Sequence, residues 1–125
     1  MVLLPILLQP AGSHESYFDG WETGSEKADF SCTCSMCHSP MTIPFTLVHA
    51  GAWGWRERIS SEAVEAIETA FPAAKKTQTQ LPAWPSVSEV TCHACGSQYY
   101  FFAEVDEYRN SVFRLFARGI ALRVT

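Results

Sequence analysis

Along the last third of the chain, apolar and polar residues alternate with a period of two. In QYYFFAEVDEY, Tyr99, Phe101, Ala103 and Val105 fall on one side and Tyr100, Phe102, Glu104 and Asp106 on the other, which predicts a strand. In SVFRLFARGIALRVT, Phe113, Leu115 and Ala117 share a face, and beyond Gly119 the apolar phase moves to Ile120, Leu122 and Val124. A change of phase at a glycine predicts a β-bulge. The two segments read as a hairpin. A three-residue loop over 108–110, with Asn110 left-handed, sets Val105 opposite Phe113, Ala103 opposite Leu115 and Glu104 opposite Arg114, keeping like faces together. A two-residue turn at Arg109 and Asn110 would put Asp106 against Phe113.

The same alternation appears in MTIPFTLVH, where Met41, Ile43, Phe45 and Leu47 interleave with Thr42, Pro44 and Thr46. It predicts a strand over 41–49, at a sheet edge or bulged, because Pro44 has no N–H for the ladder. A shorter strand, ADFSCT over 28–33, precedes it. Between residues 60 and 71 the period becomes helical. Val64, Ile67 and Phe71, flanked by Ala63 and Ala70, form one apolar stripe, while Glu62, Glu65 and Glu68 lie on another side. Ser60 or Ser61 caps the start, Glu62 meets the positive end of the helix, and Pro72 stops it. Before the helix, AGAWGWRER is a glycine-punctuated loop with Trp53 and Trp55; after it, residues 73–86 read as a loop or linker in which Pro82 and Pro85 bracket Trp84. The fold class is therefore α+β. A mainly antiparallel sheet fills one domain over 1–125, and an insertion over 50–86 holds the tryptophan loop and a single helix.

Residues 1–27 form an extended and acidic N-terminal segment. Six of its first ten residues, MVLLPILLQP, are Val, Leu or Ile, but no Lys or Arg precedes the run, Pro5 interrupts it, and no convincing small-residue cleavage site follows. It is also far shorter than the roughly 20 residues that cross a bilayer. We expect a short extended piece laid against the core of a cytoplasmic protein. Further on, Glu15, Asp19, Glu22, Glu26 and Asp29 face only Lys27, so the whole of the net charge of −4 resides there. Tyr17, Phe18 and Trp21 lie among those acids, a surface suited to a basic partner; a solvated acidic loop anchored by its aromatics is the plainer reading.

The chain has 125 residues, of which 47% are hydrophobic and five are cysteine. An odd number cannot all pair as disulfides. Four of them stand as Cys34/Cys37 and Cys92/Cys95, and two C-x-x-C pairs are the spacing of a metal site in a reducing compartment. Two residues between a pair let one tight turn present both sulfurs to a single ion. Gly96, after Cys95, suits a turn that demands positive φ, and His38 holds the same place after Cys37. Four thiolates satisfy one structural zinc ion and close its shell; iron in the same cage is the less favoured choice. Cys32 is an alternative ligand to Cys34, and His38, His49 and His93 are further donors that four cysteines make unnecessary.

CSMC followed by an apolar strand, then CHACG followed by a longer hairpin, resembles the zinc-ribbon group of folds. The resemblance implies two cysteine turns, each at the tip of a hairpin, clasping one zinc through Cys34, Cys37, Cys92 and Cys95. Residues 38–91 between the pairs exceed a compact ribbon.

Catalysis finds no motif here. H-x-E with P-C-x-x-C, G-x-S-x-G, H-E-x-x-H and a phosphate-binding glycine loop are all missing from the sequence. We expect a non-enzymatic protein-binding module, for example a stoichiometric inhibitor or an immunity-type protein. Trp53, Trp55, Trp21, Asp19 and Glu22 are its candidate partner-binding residues. The alternatives are a nucleic-acid-binding ribbon, using Arg114 and Arg118 beside Tyr100 and Phe102, and a thiol redox or rubredoxin-like electron-transfer protein. Against the first, the chain is acidic, and Glu104 and Asp106 stand ready to neutralise the two arginines.

Overall fold

The computed structural model describes residues 1–6, 15–19, 29–75, 84–109 and 112–124; at 15–19, 107–109 and 112 it describes the backbone alone. A five-stranded antiparallel sheet organises them. Its long hairpin is β6 (Gln98–Arg109) and β7 (Val112–Arg123), with β5 (Trp84–Thr91) on the outer side of β6. The other edge of β7 is shared. β1 (Leu3–Ile6) pairs with its end, from Ile120 to Arg123, and β2 (Glu15–Asp19) with its beginning, from Val112 to Phe116. The extended piece expected at the N-terminus is thus integral to the sheet.

Alternation along β6 sorts the core into two layers. Tyr99, Phe101, Ala103 and Val105 join Phe113, Leu115, Ile120 and Leu122 on one face. Over them lies a small sheet of β3 (Phe30–Thr33) and β4 (Pro40–Ile43), with Phe30, Met41 and Ile43 turned inward, beside a short helix α1 (Phe45–Ala50) that buries Val48. Tyr100 and Phe102 face the opposite way, toward α2 (Trp55–Arg58), α3 (Ser61–Ala70) and a 3₁₀ turn (Pro72–Lys75). Of these, α3 follows its expected boundaries. Ser60 is its cap, accepting the Ala63 N–H at 3.1 Å, and Ala63 and Ile67 are its buried positions.

Several expectations are corrected. The strand over 41–49 stops at Ile43, because Pro44 (φ −63°, ψ 139°) becomes the N-cap of α1. The Asp29 carboxylate accepts the Phe45 N–H at 2.9 Å, so a residue distant in sequence turns an alternating segment into a helix. The insertion accordingly carries α2 and a 3₁₀ turn besides α3, with α1 just ahead of it, rather than one helix. The linker over 73–86 is also shorter than expected: β5 already begins at Trp84, and residues 76–83 lie outside the described residues. Pro85 is tolerated because β5 is an edge strand. Polar residues suit it because its other neighbour is a helix end. Ser86 donates to the Val48 carbonyl and Ser88 to that of Leu47 at 3.2 Å.

The hairpin register differs by two residues from the expected one. Val105 stands opposite Leu115, Ala103 opposite Ala117, Glu104 opposite Phe116 and Asp106 opposite Arg114. Matching of faces excludes a slip of one but is blind to a slip of two. A further irregularity between Glu107 and Arg109 takes up Tyr108 and lets Arg109 pair with Val112; Asn110 lies outside the described residues.

The bulge expected at Gly119 is present: Phe102 pairs with Gly119 and Ala103 with Ala117, which leaves Arg118 as the extra residue. Gly119 has a second role. A Cβ there would come within 2.5 Å of Phe71, whose ring stacks on Phe102 with centroids 5.4 Å apart. Gly119→Ala is therefore expected to lower unfolding stability by about 1–3 kcal/mol. In a Phe71→Ala background the same change should cost less, a coupling that denaturant titration of the double-mutant cycle measures.

Candidate metal centre

Each C-x-x-C pair occupies the turn of a hairpin, Cys34 to Cys37 between β3 and β4 and Cys92 to Cys95 between β5 and β6. The two turns are built alike. Cys34 N–H donates to the Ser39 carbonyl and His38 N–H to the Cys34 carbonyl, both at 2.9 Å; Cys92 N–H donates to the Ser97 carbonyl at 2.9 Å and Gly96 N–H to the Cys92 carbonyl at 2.7 Å. Both close on a left-handed residue, with φ of 64° at His38 and 79° at Gly96. Nothing lies within 4 Å of a Cβ built at Gly96, so glycine there answers the dihedral alone. Inside each turn backbone N–H groups point at the first sulfur. Met36 and Cys37 serve Cys34, and Ala94 and Cys95 serve Cys92.

Folding brings the turns together. The four sulfurs lie within 4.8 Å of one another and can hold a metal ion. Across the turns, Cys34 stands 3.7 Å from Cys95 and Cys37 stands 3.6 Å from Cys92. Cys34 and Cys92 are buried, Cys37 is half-buried and Cys95 is exposed.

Four clustered thiols lose their protons unequally. Burial pushes the Cys34 thiol up, but the Tyr99 hydroxyl and the N–H groups of Cys37 and Met36 outweigh it and hold its pKa down to about 6. The Ser39 hydroxyl and N–H lower that of Cys37. At Cys92 the Cys95 N–H favours the thiolate, yet burial and the sulfurs of Cys37 and Cys34 push the pKa up to about 11. A cation among the sulfurs would let all four ionise together.

Tyr99 is the contributor that sequence reasoning missed, having placed it only on the core face of its strand. Its hydroxyl lies 3.1 Å from Cys34 Sγ, accepts the Ser35 N–H at 3.0 Å and lies 3.1 Å from Ser35 Oγ. Burial, then the Cys34 sulfur, raises its pKa. Cys32, the alternative ligand, lies outside the four-sulfur group. It is half-buried in β3 opposite Met41, and burial followed by the charge of Cys34 raises its pKa. His38, His49 and His93 lie outside that group as well: His49 packs edge-on against Phe113 with centroids 4.4 Å apart, and His93 is exposed.

The expected partner-binding residues separate. Trp53 is 42% exposed, its ring resting on His49 at 4.5 Å, Trp84 at 5.8 Å and Phe113 at 6.2 Å. Trp55 is corrected. Only 5% exposed, it is a core residue between α2 and the sheet, with Arg56 over its ring. Asp19 ends β2 opposite Val112, and Trp21 and Glu22 lie outside the described residues. On the helix-facing side of the hairpin, Arg114 pairs with Asp106, and Arg118 Nε donates to Glu104 at 2.8 Å. Both guanidinium groups also lie over Phe116. Among the described residues no helix is long and apolar enough to cross a membrane. No family model, no curated protein and no solved structure matches the chain.

Proposed function

We propose that the chain is a non-enzymatic protein-binding module, clasped in zinc-ribbon fashion by one structural zinc ion and working in the cytoplasm. The four-sulfur cage is the observation that carries the reading. Tetrahedral zinc holds thiolates at about 2.3 Å, which sets sulfurs about 3.8 Å apart, and the cross-turn separations of 3.6 and 3.7 Å are close to that spacing. Four thiolates leave no position for an activated water, so the ion supplies cohesion rather than chemistry. Iron fits the same cage; a rubredoxin-like centre would be red and lose its colour on reduction, whereas zinc is colourless.

The binding surface centres on Trp53, a large ring supported on one side and open on the other, the arrangement that interface hot spots favour. Phe113, beneath it, pairs in the sheet with Phe18 of β2, the strand with which the acid-rich part of the sequence begins. An aromatic anchor on a chain of net charge −4 suits a basic protein, and a stoichiometric inhibitor of immunity type is one role that would use it. The ion pairs of Arg114 and Arg118 count against a phosphate-binding face.

A pull-down from native lysate, with and without nuclease, tests this reading when run beside Trp53→Ala. A protein partner should survive nuclease treatment, and its affinity for the variant should fall about 30-fold, the effect of a 2 kcal/mol hot spot. Loss of every partner on nuclease treatment would transfer the reading to nucleic acid.

A further inference from the structure

We propose that Tyr99 is a positioning residue of the metal centre: from the strand of the second cysteine turn, its hydroxyl holds the first turn in place and donates to the Cys34 thiolate. The inference rests on the metal reading above. Its first support is where the tyrosine comes from. Tyr99 follows Cys95 closely in β6, so its backbone moves with the second hairpin, whereas its hydroxyl touches Cys34 and Ser35 of the first. Other hydroxyls near the sulfurs are local. Ser39 acts on Cys37, two residues before it, and Ser97 lies 3.1 Å from Cys95, again two residues away. Those bonds shape one turn at a time; the bond from Tyr99 ties one turn to the other.

The second support is proton bookkeeping. A phenol has one proton to give and lone pairs to receive. The Ser35 N–H occupies one lone pair at 3.0 Å, and the Ser35 hydroxyl, at 3.1 Å, can donate to another. The phenolic proton is then left for Cys34, 3.1 Å away. A metal-bound Cys34 is a thiolate and has no proton to offer, so metal binding selects this direction. All groups around the hydroxyl are then satisfied together.

The third is rigidity. The ring is 2% exposed and wedged in the core among the residues that include Cys34 and Cys92, so in the folded protein packing holds the hydroxyl against Cys34. Donors to metal ligands set the orientation and basicity of the ligand they serve, and removing one typically lowers affinity 10–100-fold.

The test compares the wild-type protein, Tyr99→Phe and Tyr100→Phe, each titrated with zinc against a competing chelator and with cobalt(II) followed by absorption. Tyr100 is the control, because its hydroxyl lies 3.4 Å from Glu89 and belongs to the helix-facing core. Tyr99→Phe should still bind one equivalent of metal, about 10–100 times more weakly. Its sulfur-to-cobalt charge-transfer bands should move to lower energy, since a sulfur without its hydrogen bond gives up charge more readily. Tyr100→Phe should match the wild type in both. Wild-type affinity and spectrum in Tyr99→Phe would overturn the proposal and leave the metal reading standing. Weaker binding with an unchanged spectrum would also overturn it, by assigning the loss to packing. A wild-type protein that binds neither metal would remove both.

Discussion

Complete removal of metal by a strong chelator is expected to unfold or aggregate the protein, and Cys37→Ser or Cys95→Ser should do the same. The magnitude follows from what the cage joins. β3 and β4 are strands of four residues each, and a two-stranded ribbon of that length has no stability of its own in water. It is held to the main sheet by its inward side chains and would, with an ion bound, be held by the four sulfurs as well. Structural zinc contributes on the order of 10 kcal/mol of apparent binding energy, as large as the roughly 5–15 kcal/mol by which a domain is stable. Circular dichroism melts with and without chelator, alongside elemental analysis of the purified protein, measure the effect. Cys32→Ser is the discriminating control, because Cys32 lies outside the four-sulfur group and its loss should leave one ion bound. An unchanged melt after verified removal of all metal would end the structural role.

The cage was legible in the sequence because its chemistry is local. Two cysteines around two residues specify a turn, and the demand for positive φ at the following position makes Gly96 and His38 equivalent, as the dihedrals of 79° and 64° bear out. The Ser60 cap and the bulge at Gly119 were legible for the same reason, each being a backbone requirement met by a neighbouring residue. What pattern reading could not supply were effects arriving from elsewhere in the chain. Asp29 caps α1 across an intervening hairpin, and the hydroxyls of Ser86 and Ser88 bind the carbonyls of that helix; both overrule a local alternation.

The two tryptophans of the glycine loop make the same point. They stand two residues apart around Gly54, yet Trp55 enters the helix-facing core and Trp53 rests on Phe113 at the surface. Tyr99 is the sharper case. On the strand pattern it is one aromatic in a run of four, and only the approach of the first cysteine turn distinguishes it from Tyr100. Parity gave the faces of the long hairpin, whereas the register required the acid–base pair of Asp106 and Arg114 to be seen in place.

Phe101→Ala is expected to lower stability by about 3–5 kcal/mol, and to weaken metal binding as well. Phe101 is 1% exposed and lies on the sheet face beneath the first cysteine hairpin, its ring 5.4 Å from that of Phe30 in β3. Removing it opens a cavity where the small sheet seats on the large one, so the Cys34 and Cys37 turn loses part of the surface that aligns it with Cys92 and Cys95. Ile67→Ala makes the comparison informative. Ile67 is as fully buried, and its loss should cost about 2–5 kcal/mol, but it lies in the core on the opposite side of the sheet. Urea midpoints of the zinc-saturated proteins should therefore fall for both variants, and apparent zinc affinity with them, since the ion binds the folded chain; the absorption of the cobalt(II)-substituted protein, which reads the arrangement of the sulfurs, should change for Phe101→Ala alone. An unchanged cobalt(II) spectrum in Phe101→Ala, with both variants destabilised, would mean that the seat of the hairpin has no part in presenting its sulfurs.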